Sequence, residues 1–154
     1  MGTSTDAQLC FGVALPEDTD IPWRCDKFGF DFEDWWRVTT GYHPPFELFD
    51  SRGAWLDGSA PPVDVVSAYY AAQKAWDAAH PAPVLEVWHC SDRYKMFIVA
   101  VPGTLIEARR GYPQPIAALP EVDPAQVRAF TEFCQRYFPE VQAEPGWLLS
   151  SWWG

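Results

Sequence analysis

The apolar positions of this chain fall into short blocks, separated by proline, glycine and acidic residues. Gln8–Leu15 is mostly apolar and closes at Pro16, which predicts a first strand. Asp31 stands where a cap opens a short helix over Phe32–Val38, with Asp34 near its positive end and Gly41 ending it. Phe46–Phe49 and Ala54–Leu56 flank Asp50-Ser-Arg-Gly53, a hairpin signal. After Pro61-Pro62, the residues Val65, Tyr69, Ala72, Trp76 and Ala79 recur at helical spacing and form one apolar stripe. Pro81 and Pro83 end that helix.

Val84–His89 and Tyr94–Val101 are rich in β-branched and aromatic residues and flank Cys90-Ser-Asp-Arg93. They predict a second hairpin, with Met96–Val101 buried on both faces or nearly so. Residues 104–122 read as irregular. Asp123-Pro-Ala-Gln126 combines a capping Asp, a proline at the first helical position and a glutamine at the third. Val127, Phe130, Cys134 and Phe138 then line the buried face, and Pro139 stops the helix. Pro145-Gly146 leads into Trp147–Trp153, read as an added edge strand. Strands, helices and hairpins interspersed in this order define an α+β fold. We expect an antiparallel sheet of about four to six strands with about three helices on one side. The length fits a single globular domain over residues 1–154.

Composition adds an excess of indole. Nine of the 154 residues are tryptophan, and Trp35-Trp36 and Trp152-Trp153 are adjacent pairs. A doublet cannot place both rings in one direction, in a strand or a helix. Tyr69 and Trp76 fall on the helix stripe and read as core, and Trp88 reads as half-buried in the hairpin. Trp23, one of Trp35 and Trp36, and one of Trp152 and Trp153 are expected at the surface.

The net charge of −10 is unevenly spread: residues 1–50 hold ten acids against three bases. A concentrated negative surface repels nucleic acid and anionic membranes and attracts basic protein patches. The plainer alternative is that the charge only maintains solubility. The start of the chain lacks a basic segment followed by a long apolar stretch, and no two of the four cysteines have C-x-x-C spacing. Both features lead to the expectation of a cytosolic protein with reduced thiols.

Little catalytic chemistry accompanies these patterns. There is no glycine-rich phosphate loop, no G-x-S-x-G and no H-E-x-x-H. His89 and Cys90 are neighbours at a strand end, where successive side chains point apart, so neither a metal nor a cofactor is expected. Asp31, Glu33 and Asp34 beside the Trp35-Trp36 pair suit either a sugar cleft or a solvated helix start, and the helix start is the simpler reading. Arg109, Arg110 and Tyr112 form a second candidate site, able to clamp a phosphate and stack on a ring. The alternative is that both arginines pair with the protein's own carboxylates.

Several segments taken together resemble small proteins of tailed bacteriophages and prophages. They are Phe11-Gly-Val-Ala14, Ile21-Pro-Trp23, Glu33-Asp-Trp-Trp-Arg37, Ala100-Val-Pro-Gly-Thr104, Arg110-Gly-Tyr-Pro113 and Trp147–Gly154. The resemblance implies expression in a bacterial cytoplasm during infection and brings no catalytic residues with it. Small acidic phage proteins often inhibit host machinery, CRISPR complexes included. The expected function is therefore binding to a basic surface of a host protein through Trp23, Asp31, Glu33, Asp34, Trp35 and Trp36. The partner is expected to be neither nucleic acid nor membrane. The alternative is a nucleotide- or phosphate-binding protein, or a small enzyme, built around Arg109, Arg110 and Tyr112.

Overall fold

The structure, a computed structural model, describes residues 5–24, 31–49, 54–56, 58–91 and 95–153. In chain order its elements are β1 (Thr5–Ala14), α1 (Phe32–Thr39), α2 (Val63–Ala79), β2 (Leu85–Ser91), β3 (Lys95–Ala100), β4 (Ile106–Ala108), α3 (Pro124–Tyr137) and β5 (Gly146–Trp153). The class is α+β, with three helices and a five-stranded sheet among the described residues. The chain separates into two compact units, Trp23–Ala82 and the combination of Met1–Pro22 with Pro83–Gly154. No helix among the described residues is long and apolar enough to cross a membrane.

The second of these units carries the whole sheet, in the order β3-β2-β5-β1-β4. β1 is its axis. One edge of β1 pairs antiparallel with β5, from Thr5↔Trp153 to Gly12↔Gly146. β1 also pairs antiparallel with β4 through Ala7–Leu9 and with β3 through Gly12–Ala14. β2 and β3 form the expected hairpin, in register from Leu85↔Ala100 to Cys90↔Lys95, and its turn lies partly outside the described residues. The sheet is mixed rather than purely antiparallel, because β2 and β5 meet in parallel at Cys90↔Trp152 and Ser91↔Trp153. Cys90 takes a φ of 77° at that junction, a backbone that bulky residues rarely adopt.

The terminal segment Trp147–Trp153 is not the edge strand expected from its position in the chain. β5 lies between β1 and β2. The physical reason is backbone pairing at its far end: besides its full-length pairing with β1, the Trp152–Trp153 end also meets β2 at Cys90 and Ser91 and so has a partner on both sides. Gly12 stands where β1 passes between its partners, opposite both Gly146 and Ala100. A Cβ there would collide with the Val99 carbonyl and sit 2.7 Å from the Ala100 Cα, so only glycine fits.

One face of the sheet buries Cys10, Val87, Ile98 and Ala100, with Leu85, Leu105 and Leu148 packed around them. Thr104 is buried beside them. Its hydroxyl accepts from the Phe11 amide at 3.1 Å and donates to the Val101 carbonyl at 2.7 Å, so this buried hydroxyl is satisfied as both acceptor and donor. α3 begins as its sequence predicts, with Asp123 accepting from the Ala125 amide at 2.8 Å and Pro124 at the first position. Phe130, Phe133 and Phe138 are its buried aromatics; Phe133 falls outside the stripe expected from spacing.

The Trp23–Ala82 unit is built from two helices and aromatic side chains. α1 opens on Asp31, whose carboxylate accepts from the Glu33 and Asp34 amides at 2.8 and 3.1 Å. It closes in a left-handed turn at Gly41, with the Tyr42 amide reaching back to the Arg37 carbonyl and the Gly41 amide to Val38. α2 has no fully buried residue. Tyr69 and Trp76, expected as core, are half-buried: Tyr69 packs on Phe46 and Phe49, Trp76 on Tyr42 and His80, and each keeps part of its surface open. The hairpin expected around residues 50–53 is reduced among the described residues to one bridge, Phe49↔Trp55, whose rings stack 4.6 Å apart. Its turn lies outside the described residues.

Candidate functional site

The sequence-predicted acidic patch is a helix start with a specific charge arrangement. Asp31 spends its carboxylate on the two amides it caps, while Glu33 and Asp34 face outward one turn from Arg37. The Arg37 guanidinium donates to Asp77 of α2 through Nε and a terminal nitrogen, both at 2.9 Å, and to Asp34 at 2.7 Å and Glu33 at 3.2 Å. Hydrogen bonding to Asp77 and the surrounding carboxylates hold it firmly protonated, against the cost of burial. The Arg37 side chain is 13% exposed, whereas Glu33 and Asp34 are 76% and 56% exposed. The cation lies beneath the carboxylates it pairs with, so the surface of α1 presents negative charge.

The tryptophans of this patch do not sit where the sequence reading puts them. Trp23 is fully buried and Trp35 is 6% exposed. Together with Phe32 they form a cluster of edge-on and tilted rings 4.9–6.0 Å apart. The surface placement of Trp23 is therefore corrected, because its indole packs into this aromatic cluster while the neighbouring acids stay at its rim; of the Trp35–Trp36 pair it is Trp35 that turns inward. Trp36 follows the doublet rule and turns the other way. It is half-buried, and its Nε1 donates to the His80 carbonyl at 3.0 Å. Trp36, Glu33, Arg37, Asp77 and His80 line a small hollow of about 170 Å³. The spacing of the sequence carries no signal for Asp77 and His80 as members of this site, since each joins it from α2, forty or more residues away.

The second candidate triad lies on an exposed turn. The Tyr112 amide donates to the Arg109 carbonyl at 2.9 Å, and Gly111 supplies the left-handed third position with φ 79°. Arg109, Arg110 and Tyr112 are all exposed, and the Arg110 amide donates to Asp6 at 3.1 Å. Of the terminal doublet, Trp152 is half-buried against Trp88 and Trp153 is exposed, as the alternation of a strand requires.

Two larger hollows belong to the sheet-bearing unit. The first, about 360 Å³, is lined by Val13 and Leu15 at the end of β1, by Phe130 and Cys134 of α3 with Phe138 just after it, and by Pro139 and residues 141–145. Burial pushes the Cys134 thiol up to about 12, so it is neutral there. The second, about 420 Å³, is lined by Pro16, Asp18, Thr19, Asp20, Pro22, Tyr137 and Glu140. Among the described residues no group of three or more His, Cys, Asp or Glu side chains is arranged to hold a metal ion. Set against protein-family models, curated proteins and solved structures, the chain matches none of them.

Proposed function

We propose that the protein works by binding rather than by catalysis. In this reading it is a phage-encoded acidic protein that occupies a basic surface of a host protein in the bacterial cytoplasm. It thereby blocks a defence or nucleic-acid enzyme, a CRISPR complex among them, without itself touching nucleic acid or membrane. The observation that carries the reading is the layering on α1. Glu33 and Asp34 face solvent while the guanidinium they share lies beneath them and is also held by Asp77. Such a surface attracts a basic patch at long range and offers the remaining carboxylate lone pairs to its lysines and arginines at contact. With Trp23 and Trp35 buried, the reading rests on the carboxylates, with Trp36 as the partly accessible ring beside them.

The test is affinity capture from host lysate with the native chain and with Glu33→Lys combined with Asp34→Lys. Asp31 is kept because it caps the helix. The expected result is a retained protein that dissociates as salt rises and is lost in the charge-reversed variant. A retained partner indifferent to both treatments, or none at all, overturns the reading.

A further inference from the structure

The two large hollows of the sheet-bearing unit are built from the same two stretches of chain. Leu15 lines the first and Pro16 the second; Phe138 and Pro139 line the first, Tyr137 and Glu140 the second. Their chemistry differs sharply. The first has a floor of Val13, Leu15, Phe130 and Phe138, all buried, and its size is that of a ligand pocket. The only charged residue lining it is Glu144. The second carries the carboxylates of Asp18, Asp20 and Glu140 and no basic residue among its lining. Arg136 lies over the Tyr137 ring, 5.5 Å from its centre, so this wall already holds one guanidinium, and acid remains in excess.

These properties select one occupant. An anion would meet carboxylates at either hollow. A purely polar cation would leave the apolar floor unfilled, and a purely apolar molecule would strip water from the acids without pairing them. We infer that the two hollows together take a short peptide segment of the partner, in which an apolar side chain enters the first and a nearby lysine or arginine enters the second. The inference rests on the reading of the partner as a basic protein, and it adds a contact made by residues other than those of α1.

The probe is a fluorescein-labelled peptide alternating leucine and lysine, followed by anisotropy. Two matched peptides replace lysine by glutamate or leucine by serine. The leucine–lysine peptide is expected to bind at least about tenfold more tightly than either. Ala143→Trp, which fills the apolar hollow from its rim, is expected to weaken it by at least about tenfold with an unchanged far-ultraviolet circular dichroism spectrum. Gln142→Trp serves as a second filler should the first variant misfold. Asp18→Lys with Glu140→Lys is expected to act alike. Equal binding of the serine peptide, or binding that survives both fillers, overturns the inference. Either outcome leaves the basic-partner reading standing. Failure of lysate capture, by contrast, removes that reading itself.

Discussion

Trp36 and Trp76 each donate a hydrogen bond to the residue that closes the other's helix. The Trp36 indole of α1 donates to the carbonyl of His80, the residue that closes α2, at 3.0 Å. The Trp76 indole of α2 donates at 3.1 Å to the hydroxyl of Thr40, the residue that closes α1. Thr40 in turn lies 2.9 Å from the Trp36 carbonyl, and the His80 ring stacks on Trp76 at 3.8 Å. The last turn of a helix leaves carbonyls without partners. At the end of α2 the Trp36 indole supplies such a partner, and at the end of α1 the Trp76 indole holds the Thr40 hydroxyl, which donates back to the Trp36 carbonyl; leucine at either position could make neither bond.

Replacing either indole by phenylalanine keeps most of the apolar area and removes one donor. Trp36→Phe and Trp76→Phe are each expected to cost about 1 kcal/mol. Because both bonds close the same pair of helix ends, the double variant should lose less than the sum of the two. Urea unfolding followed by circular dichroism measures this, since the signal does not depend on indole emission. Strict additivity would mean that the two bonds act separately.

The Arg37–Asp77 pair joins the same two helices through a fork of two parallel bonds. Arg37 is largely buried and Asp77 is not, so the expected cost of Asp77→Asn falls between that of surface and buried pairs, about 2 kcal/mol. Arg37→Lys should be nearly as costly, because an ammonium cannot make the bidentate contact. The exposed Glu33–Arg37 pair contributes only a few tenths by comparison, about 0.3 kcal/mol, and should vanish at high salt. Chemical denaturation of Asp77→Asn, Arg37→Lys and Glu33→Gln at low and high salt separates these contributions.

How much of this was legible beforehand depends on the range over which each feature is encoded. α3 was readable because its limits are local: a capping Asp123, Pro124 at its first turn and Pro139 after it. α1 was equally readable from Asp31 and Gly41. The β2–β3 hairpin followed from two adjacent apolar runs. The position of β5 was not readable, because its partners β1 and β2 lie far back in the chain and nothing within Trp147–Trp153 names them. The acids of the candidate site were found from their spacing, whereas Asp77 and His80 were missed because they arrive from another helix. Trp23 was misplaced for a physical reason. A tryptophan among acids reads as surface, yet in a small aromatic core the acids sit at the rim while the indole points inward.

Gly12 gives the sharpest steric prediction. It lies opposite Gly146, so the two glycines share one register position but not one environment. A Cβ on Gly12 meets backbone atoms, which cannot move aside; a Cβ on Gly146 meets nothing within 4 Å. Gly12→Ala is therefore expected to destabilise by at least about 3 kcal/mol or to prevent folding, and Gly146→Ala to change stability by less than about 0.5 kcal/mol. Thermal melts of the two variants side by side check both halves.

The buried thiols give a prediction in pH. Burial raises Cys10 to about 11 and Cys134 to about 12 from an ordinary value of 9.0. Each thiol is thus neutral in the folded chain at pH values where the unfolded chain has already lost the proton. A group whose folded pKa is raised contributes stability that is fully present below its unfolded pKa and is lost as pH rises toward the folded value. Stability should accordingly be flat with respect to these groups below pH 9 and fall above it, by about 1.4 kcal/mol per pH unit for each thiol, until pH 11 for Cys10 and pH 12 for Cys134. Cys10→Ala and Cys134→Ala each remove one share of that slope, whatever their effect at neutral pH. The burial of Cys10 also slows alkylation: at pH 8 iodoacetamide should leave Cys10 unmodified in the native chain and modify it after denaturation, as peptide mass mapping would record.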